Sequence, residues 1–545
     1  MTTATVPATQ HAVQLTGPGT LKLNAAKPVG KPGPHEVLLK TEAVGLCFSD
    51  LKLLKQFDRH ARKSTVTAGI DAAALSTIQG YVPGDKPTVP GHEVVARVVA
   101  VGEKVKHHKV GERVLVQADW REIKTAGSNS AFGYNFEGGL QEYVVVDERV
   151  VVDSRGTRML MPVDESKGSS EVALVEPWAC VEDSYVTRER QTIKAGGQLL
   201  IVAGAGEDTS SVQQAYAKEG PPAQVTTATP EQIATLPNEG FDDIVYFGAD
   251  AAVIETLNDK LATNAVMNVV LAGAKVGRPV NVGVGRVHYG GTRWVGTAGS
   301  DAAAAYAVIP ATGEVRDGDR VLIIGAGGPM GQMHVIRDVC SGKRDLRVVG
   351  TDFDEPRLAA LRAKAEPMAQ ANRVSLKLLN PKMSPLTEKF SYIAIMAPVA
   401  AVVAQSVSDA DEGAIINIFA GIPAPVKHPI DLDAYITKGL FMFGTSGSTI
   451  EDMRIVLGKV QGNTLDTNSS VDAVSGMAGA VDGIAAVENR TLAGKIIVYP
   501  MLHDLGLVPL TQLGEKFPSV AAKLERGKWT AAAEQELLKV AAAAK

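Results

Sequence analysis

The stretch RVLIIGAGGPMGQMHVIRDV, residues 320–339, decides the fold. An apolar run typical of a buried strand enters a glycine-rich turn, and a helical pattern follows. Glycines at such a turn let the backbone approach a pyrophosphate, which then binds the unpaired N–H groups at the helix N-terminus. The turn residues assigned to cofactor binding are Gly325, Gly327, Gly328, Pro329, Met330 and Gly331.

A second strand, in RVVGTDFDEPRL, ends at Asp352, 21 positions after Gly331. A carboxylate there accepts hydrogen bonds from an adenosine ribose and repels a 2'-phosphate. A glycine motif alone is weak evidence, and a purely structural turn is the alternative. Strand, turn, helix, strand and acid in this order favour a site for NAD rather than NADP.

An earlier stretch, LIVAGAGEDTSS at 200–211, resembles this turn but departs from it. Glu207 and Asp208 stand where a phosphate-binding turn needs small uncharged residues, and their carboxylates would occupy the positive end of the helix dipole. Thr229 stands where the later copy has Asp352. The sequence therefore predicts a degenerate copy that keeps the fold and lacks the dinucleotide.

Further landmarks indicate that this region is duplicated. FDDIVYFGADAAV at 241 aligns with FSYIAIMAPVAAV at 390, and WVGTAGS at 294 aligns with MFGTSGS at 442. The offsets are 149 and 148, and landmarks repeated in the same order are typical of internal duplication. We predict tandem Rossmann-like parallel-sheet domains at 195–312 and 315–454, the first degenerate.

The sequence that flanks this region has a different spacing of apolar residues. From about 35 to 155, β-branched runs with period-two spacing alternate with glycine turns, which predicts a barrel-like β domain. We assign residues 1–190 to this catalytic domain, completed by 455–500, where GKIIVYP reads as a returning strand. Residues 501–545 read as a helical C-terminal tail, so the predicted fold class is α/β.

Composition limits the partners of the 545-residue chain. With 55 basic and 60 acidic side chains the formal charge is -5, which offers no broad attraction for nucleic acid or anionic membranes. The N-terminus lacks a secretory pattern and no apolar run spans a bilayer, so we expect a cytoplasmic protein. Its three separated cysteines make a disulfide framework improbable but leave a thiolate ligand available.

Three short stretches carry candidate metal ligands: GLCFSD at 45–50, VPGHEVV at 89–95 and LVEPWACVEDSY at 174–185. Cys47, His92 and Glu176 supply a thiolate, an imidazole and a carboxylate, which suit a catalytic zinc that keeps its fourth position open. Each alone has an ordinary explanation as a core or surface residue. Cys180, four residues after Glu176 on the same helix face, is an alternative ligand.

These stretches, with GERV at 111–114, GGLQEYVVV from Gly138 and GKIIVYP at 494–500, resemble the zinc-dependent medium-chain dehydrogenase/reductase family of alcohol and polyol dehydrogenases. The resemblance covers most of 30–185 and 315–500. It is strongest to the branch that has Glu-Pro in the third stretch, and to sugar-phosphate reductases of the L-sorbose-1-phosphate reductase kind. It implies that the β domain is a GroES-like catalytic domain.

The resemblance also implies roles for individual residues. Cys47, His92 and Glu176 match the zinc-binding positions, and Glu93 matches a carboxylate that enters or leaves the coordination shell. Ser49 matches the hydroxyl that relays the substrate proton, and Asp50 would orient the site. The family's structural zinc lobe is missing because no cysteine lies between Cys47 and Cys180, so we predict one catalytic zinc per chain.

The gap between Cys47 and His92 is longer than in the family, so the insert at 51–80 is expected to line the substrate mouth. Its basic side chains favour either a phosphate contact or a solvated helix face: Lys55, Arg59, His60, Arg62 and Lys63.

The combined hypothesis is a zinc- and NAD-dependent oxidoreductase that interconverts a secondary alcohol and a ketone of a polyol, sugar or sugar phosphate. We expect the second copy to face the zinc, and a homo-oligomer, either dimer or tetramer. One alternative is a lyase or epimerase that retains NAD and uses it transiently. Another is a non-catalytic metal- or nucleotide-binding assembly protein.

Overall fold

The computed structural model describes residues 6–543. The chain forms two compact units, one of Met1–Cys180 with Gly447–Lys545 and one of Val181–Ser446. The domain boundaries expected from the sequence stay predictions. Within the described residues, no helix combines the length and apolarity needed to cross a membrane.

The elements are numbered in chain order. The strands are β1 Thr9–Gly17, β2 Thr20–Pro28, β3 Glu36–Gly45, β4 Val66–Ala68, β5 Glu93–Val101, β6 Arg113–Val116, β7 Asp119–Thr125, β8 Ser128–Ala131, β9 Tyr143–Asp147, β10 Leu160–Pro162, β11 Gln198–Val202, β12 Gln224–Ala228, β13 Phe241–Phe247, β14 Leu261–Val270, β15 Val280–Val282, β16 Arg293–Thr297, β17 Arg320–Ile324, β18 Arg347–Thr351, β19 Ser375–Leu379, β20 Phe390–Ile395, β21 Ala410–Ile418, β22 His428–Ile430, β23 Phe441–Phe443, β24 Val471–Ser475, β25 Lys495–Val498 and β26 Val508–Pro509. The α-helices are α1 Phe48–Gln56, α2 Ala72–Ser76, α3 Glu148–Val151, α4 Ser169–Ala173, α5 Val175–Val186, α6 Ser211–Gln214, α7 Ala251–Asn258, α8 Val284–Tyr289, α9 Ala302–Tyr306, α10 Pro329–Val339, α11 Glu355–Asn372, α12 Ala400–Asp409, α13 Leu432–Thr437, α14 Ile450–Gln461, α15 Ala480–Asn489, α16 Leu513–Lys516, α17 Pro518–Ala521 and α18 Ala531–Ala543.

The first unit is built around strand β3, which pairs with β5, β9 and β25 in an eight-stranded sheet. The strand is almost entirely buried because apolar residues of both sheet faces pack against it. Its last residue, Gly45, lies opposite Glu93 of β5 and Ile497 of β25. The late strand GKIIVYP therefore returns to the β domain, and it does so beside the residues that precede Cys47.

The second unit contains one sheet of eleven strands, in the order β12-β11-β13-β14-β16-β23-β21-β20-β17-β18-β19. Both halves are internally parallel, as expected from the alternation of strands and helices. The halves meet where β16 and β23 pair antiparallel. The α/β class predicted from the sequence is confirmed.

The two halves are related by an internal two-fold axis. Trp294 pairs with Met442 across the β16–β23 junction, and Asn281 pairs with Pro429 across β15 and β22. Each pair is separated by 148 positions, from 442 minus 294 and from 429 minus 281, which equals an offset of the sequence repeat. Only a two-fold relation brings a residue opposite its own equivalent, so the junction has the geometry of an isologous interface.

A buried polar network anchors helix α10, which follows the later glycine turn. The Tyr185 hydroxyl lies 2.7 Å from His334 Nδ1 and 3.1 Å from Asp338 Oδ2. Burial raises the pKa of Asp338 to about 7. The adjacent Arg337 acts to lower this pKa, but its guanidinium also pairs with Glu182 and Glu314. The helix is thus fixed by polar contacts as well as by apolar packing.

Candidate active site

Three potential metal ligands converge in the first unit. One ligand atom from each of Cys47, His92 and Glu93 lies within 4.8 Å of the other two. Cys47 caps the N-terminus of α1, His92 immediately precedes β5, and Glu93 is the first residue of that strand. Residues 47 and 92 come from distant points in the sequence, and the sheet brings them together because β3 and β5 are paired.

The imidazole of His92 is held by a carboxylate behind it. Asp50 Oδ1 lies 3.0 Å from His92 Nδ1, and Asp50 Oδ2 accepts a hydrogen bond from the Cys47 N–H at 3.2 Å. Burial acts to lower the pKa of His92, but the charge and hydrogen bond of Asp50 outweigh it and raise that pKa well above its ordinary value. This contact directs Nε2 towards the cluster, as the predicted orienting role of Asp50 requires.

The hydroxyl of Ser49 lies between two members of the cluster. Its Oγ is 3.0 Å from Cys47 Sγ and 3.2 Å from His92 Nε2. A hydroxyl in this place can exchange a proton with a bound group, because it both donates and accepts hydrogen bonds. The sequence prediction for Ser49 is therefore compatible with the geometry and stays a prediction.

Glu93 is completely buried beside Gly45 and Lys495. The Lys495 ammonium forms an ion pair with Glu93 Oε1, whereas Oε2 is buried and has no hydrogen-bond partner among the described residues. A Cβ added to Gly45 would lie 2.0 Å from Oε2, so only glycine leaves room for this carboxylate.

Glu176 and Cys180 lie on α5 close to the cluster but outside the group of three. Cys180 Sγ is 3.8 Å from Glu176 Oε1. Burial raises the pKa of Glu176 to about 7; His92 opposes the shift and Glu93 adds to it. Burial and the charge of Glu176 also raise the pKa of Cys180 well above its ordinary value. The carboxylate in the group of three is that of Glu93 and not that of Glu176. The assignment of Glu176 as a zinc ligand therefore stays a prediction.

The insert at 51–80 contributes Arg62 and His60. Arg62 forms an ion pair with Asp119, with Nη1 2.5 Å from Oδ1, and its guanidinium carbon lies 5.7 Å from the Tyr134 ring. The Tyr134 ring lies 6.0 Å from that of His92. Burial and the charge of Arg62 lower the pKa of His60 to about 4, so His60 is neutral near pH 7.

The other basic residues of the insert have different surroundings. Lys63 is buried and donates to the carbonyl groups of Val82 and Lys86, which is a structural role. Lys55 pairs with Glu488 at 2.9 Å on the surface, and Arg59 is exposed.

The later glycine turn in the second unit has the predicted local structure. Gly325 follows β17 with a φ of +85°, and Gly328 caps α10 before Pro329. A Cβ on Gly331 would lie 2.2 Å from the Gly325 carbonyl oxygen, so this glycine permits the contact between turn and helix. Asp352 accepts a hydrogen bond from the Gly327 N–H at 2.9 Å, which places the acid at the turn.

The earlier turn differs from its equivalent and also from our expectation. The helix after it, α6, spans four residues, so Glu207 and Asp208 do not sit at the N-terminus of a full helix. Asp208 instead accepts a hydrogen bond from the Ser210 N–H at 2.9 Å. The predicted dipole contact is therefore wrong, whereas Thr229 does follow β12 as Asp352 follows β18.

Sequence reasoning missed two side chains near the cluster. Lys495 follows Glu93 by 402 positions, and nothing in GKIIVYP distinguishes its lysine from an exposed one. Tyr134 is buried against His92 and Arg62, but it lies in a glycine-bounded loop without a recognisable motif. No local sequence signal identifies either residue.

Comparisons with known proteins agree with this architecture. Residues 33–155 match the family model of the alcohol dehydrogenase GroES-like domain. The chain is 24% identical over 307 residues to the uncharacterized protein YggP of Escherichia coli (strain K12), covering 47% of this chain and 71% of that protein. It is 38% identical over 101 residues to sorbitol dehydrogenase of Bos taurus, covering 18% of this chain and 22% of that enzyme.

Among solved structures, 2R,3R-butanediol dehydrogenase from Bacillus subtilis aligns with a TM-score of 0.53 at 13% identity. The alignment covers 90% of this chain and 100% of that chain. At this level of identity it is evidence for a shared fold alone. The chain thus resembles the medium-chain dehydrogenase family of alcohol and polyol dehydrogenases, most specifically over residues 33–155. The predicted combination of a GroES-like domain with Rossmann-like parallel sheets is confirmed.

Proposed function

We propose that the protein is a zinc-dependent NAD(H) oxidoreductase that interconverts a secondary alcohol and a ketone of a polyol, sugar or sugar phosphate. The observation that carries the proposal is the cluster of Cys47, His92 and Glu93, with Ser49 in contact with two of its members. Sulfur, nitrogen and oxygen donors of this kind are those of catalytic zinc sites.

The residues present fit a divalent cation. Cys47, Glu93 and Glu176 are potential anionic ligands in one region, and Lys495 forms its ion pair with Glu93. Glu93 Oε2 has no hydrogen-bond partner among the described residues, and burial raises the pKa of Glu176, so a divalent cation would compensate both carboxylates. Zinc bound here would polarise the substrate oxygen as a Lewis acid. Cys47 and His92 would hold it, with Glu176 or Glu93 as the third ligand.

The chain's own groups account for orientation and proton transfer. Asp50 fixes the ring of His92 through the bond to Nδ1, so Nε2 remains directed at the ligand position. Ser49 Oγ is placed to accept the substrate hydroxyl proton and to return it in the reverse direction. Both functions depend on helix α1, which carries Ser49 and Asp50.

The cofactor proposal rests on the later glycine turn. The N–H groups of Met330 and Gly331 lie in the first turn of α10, where backbone donors and the helix dipole favour a pyrophosphate. Asp352 would accept hydrogen bonds from the adenosine ribose, which favours NAD over NADP. NAD supplies the hydride acceptor, and the protein's contribution is to bind and orient it.

A substrate panel tests the proposed function. The full chain should produce NADH, followed by its absorbance, from at least one polyol or polyol phosphate. Chelation should remove the activity and added zinc should restore it. Turnover of substrate without net NADH would indicate the transient-NAD lyase or epimerase. Bound zinc without redox activity on the whole panel would indicate a binding protein.

We further expect Arg62 to contact a polar or anionic group of the substrate. Asp119 engages two nitrogens of the guanidinium, which leaves further N–H donors beside the cluster. Replacing Arg62 with alanine should raise KM about 30-fold with a smaller change in kcat, since a charge-assisted hydrogen bond contributes roughly 2 kcal/mol. Steady-state kinetics on each active member of the panel would measure the change.

Lys55→Ala is the matched control, because Lys55 lies in the same insert and its ion pair is on the surface. It should leave both constants near those of the parent. A larger loss for phosphorylated than for neutral substrates would identify the phosphate as the group that Arg62 contacts. Equal kinetics in the Arg62 variant and the parent would contradict the assignment.

A further inference from the structure

A second group of metal-ligating side chains lies in the first unit and takes no part in the site described above. It consists of His11 on β1, Glu142 immediately before β9 and His503 after β25. One donor atom of each lies within 4.8 Å of the other two. Glu142 is buried, and both histidine side chains keep 26% of their surface exposed.

The distances suit a shared ion. Glu142 Oε1 lies 2.8 Å from His503 Nε2, and Oε2 lies 3.5 Å from His11 Nδ1. Two ligands of a tetrahedral zinc lie about 3.3 Å apart when each bond is near 2.0 Å. The contact between Glu142 and His503 is a hydrogen bond that a bound ion would replace, whereas the distance between Glu142 and His11 is close to a ligand separation.

The imidazole rings lie face to face, with centroids 3.9 Å apart and planes inclined by 27°. The stacking holds the two rings side by side next to Glu142.

Backbone hydrogen bonds hold all three residues in place. The His11 N–H donates to Glu142 Oε2 at 2.7 Å, and the Glu142 N–H donates to the His11 carbonyl at 3.3 Å. The His503 carbonyl accepts from the Ala478 N–H at 2.9 Å. The group is preorganised, so little conformational entropy would be lost when an ion binds.

The geometry points to a second transition-metal site, formed by His11, Glu142 and His503, that takes zinc or a similar divalent ion. Nitrogen and oxygen donors without sulfur distinguish it chemically from the Cys47 cluster. The ion would join the N-terminal hairpin to the segment after β25, two regions 492 positions apart in the chain, from 503 minus 11. Its role in this location is to stabilise the β domain.

The test uses full-length chains in which Cys47→Ser has removed the thiolate of the first cluster. This parent should still bind cobalt in an amount close to one ion per chain, without the thiolate-to-cobalt charge-transfer band. Adding His503→Gln should remove that ion, and adding His107→Gln, an exposed histidine outside the group, should not. Metal content after dialysis and the absorption spectrum are the readouts.

Thermal unfolding provides a measurement that does not depend on activity. Zinc should raise the midpoint of the Cys47→Ser chain by several degrees, and the shift should vanish when His503→Gln is added, because only the folded site binds the ion. Equal metal content in the chains with and without His503→Gln, or no ion in either, would overturn the inference. These outcomes are independent of whether the enzyme proves to be a polyol dehydrogenase.

Discussion

Replacing Cys47 with serine is expected to lower kcat/KM for the alcohol substrate about a thousandfold. A Lewis-acidic metal contributes several kcal/mol to the transition state, and each 1.36 kcal/mol corresponds to a factor of ten. The variant should keep the fold, because Cys47 is partly exposed at the start of α1 and serine is a good helix cap. The rate of NADH formation and the circular dichroism spectrum measure the two effects.

Cys340→Ser is the matched control. Cys340 lies at the end of α10 in the second unit, outside the cluster, and its replacement should leave the rate near that of the parent. Activity that survives in the Cys47 variant and after chelation would refute the metal proposal. Loss of activity in both variants would show that thiol chemistry elsewhere is required.

Replacing Gly331 with alanine is expected to weaken NADH binding about a hundredfold. The new Cβ would lie 2.2 Å from the Gly325 carbonyl oxygen and 2.7 Å from Ala326 Cα, both backbone atoms. The turn and α10 must then separate, and a strain of up to roughly 3 kcal/mol would displace the N–H groups that bind the pyrophosphate. Fluorescence titration with NADH measures the affinity.

The equivalent turn of the first copy supplies the control. A Cβ on Gly204 would meet Glu207 Oε2 at 3.8 Å, an ordinary contact, so Gly204→Ala should bind NADH like the parent. Weaker binding in the Gly204 variant and unchanged binding in the Gly331 variant would place the dinucleotide in the first copy instead. Zinc content should be unchanged in both chains, which separates a local effect from unfolding.

Elements with local signals could be predicted from the sequence. The series from Val321 to Asp352 contains an apolar strand, required glycines, a helix and an acid, each determined by nearby residues. The helix of the first copy could not be predicted, because SSVQQAYAKEG has helical composition but α6 ends after four residues at Gln214. Propensity is a weak guide where tertiary packing decides the length.

The candidate site likewise contains residues that could be predicted from the sequence and residues that could not. Cys47, His92 and Asp50 were identifiable because their stretches are short and chemically distinctive. The ion pair between Lys495 and Glu93 depends on sheet order, in which β3 lies between β5 and β25. No pattern along the chain encodes that order, so the environment of Glu93 became apparent only from the folded structure.

The internal two-fold has a consequence for which parts of the chain are constrained. Strand β23 has β16 on one side and β21 on the other, so the first copy is to the second what a partner subunit is in a two-fold dimer, a counterpart. A counterpart must preserve the shape and hydrogen bonding of its contact strands, but it needs no ligand of its own. The glycine turn of such a counterpart can carry charged residues without loss to the junction, as Glu207 and Asp208 do in the first copy.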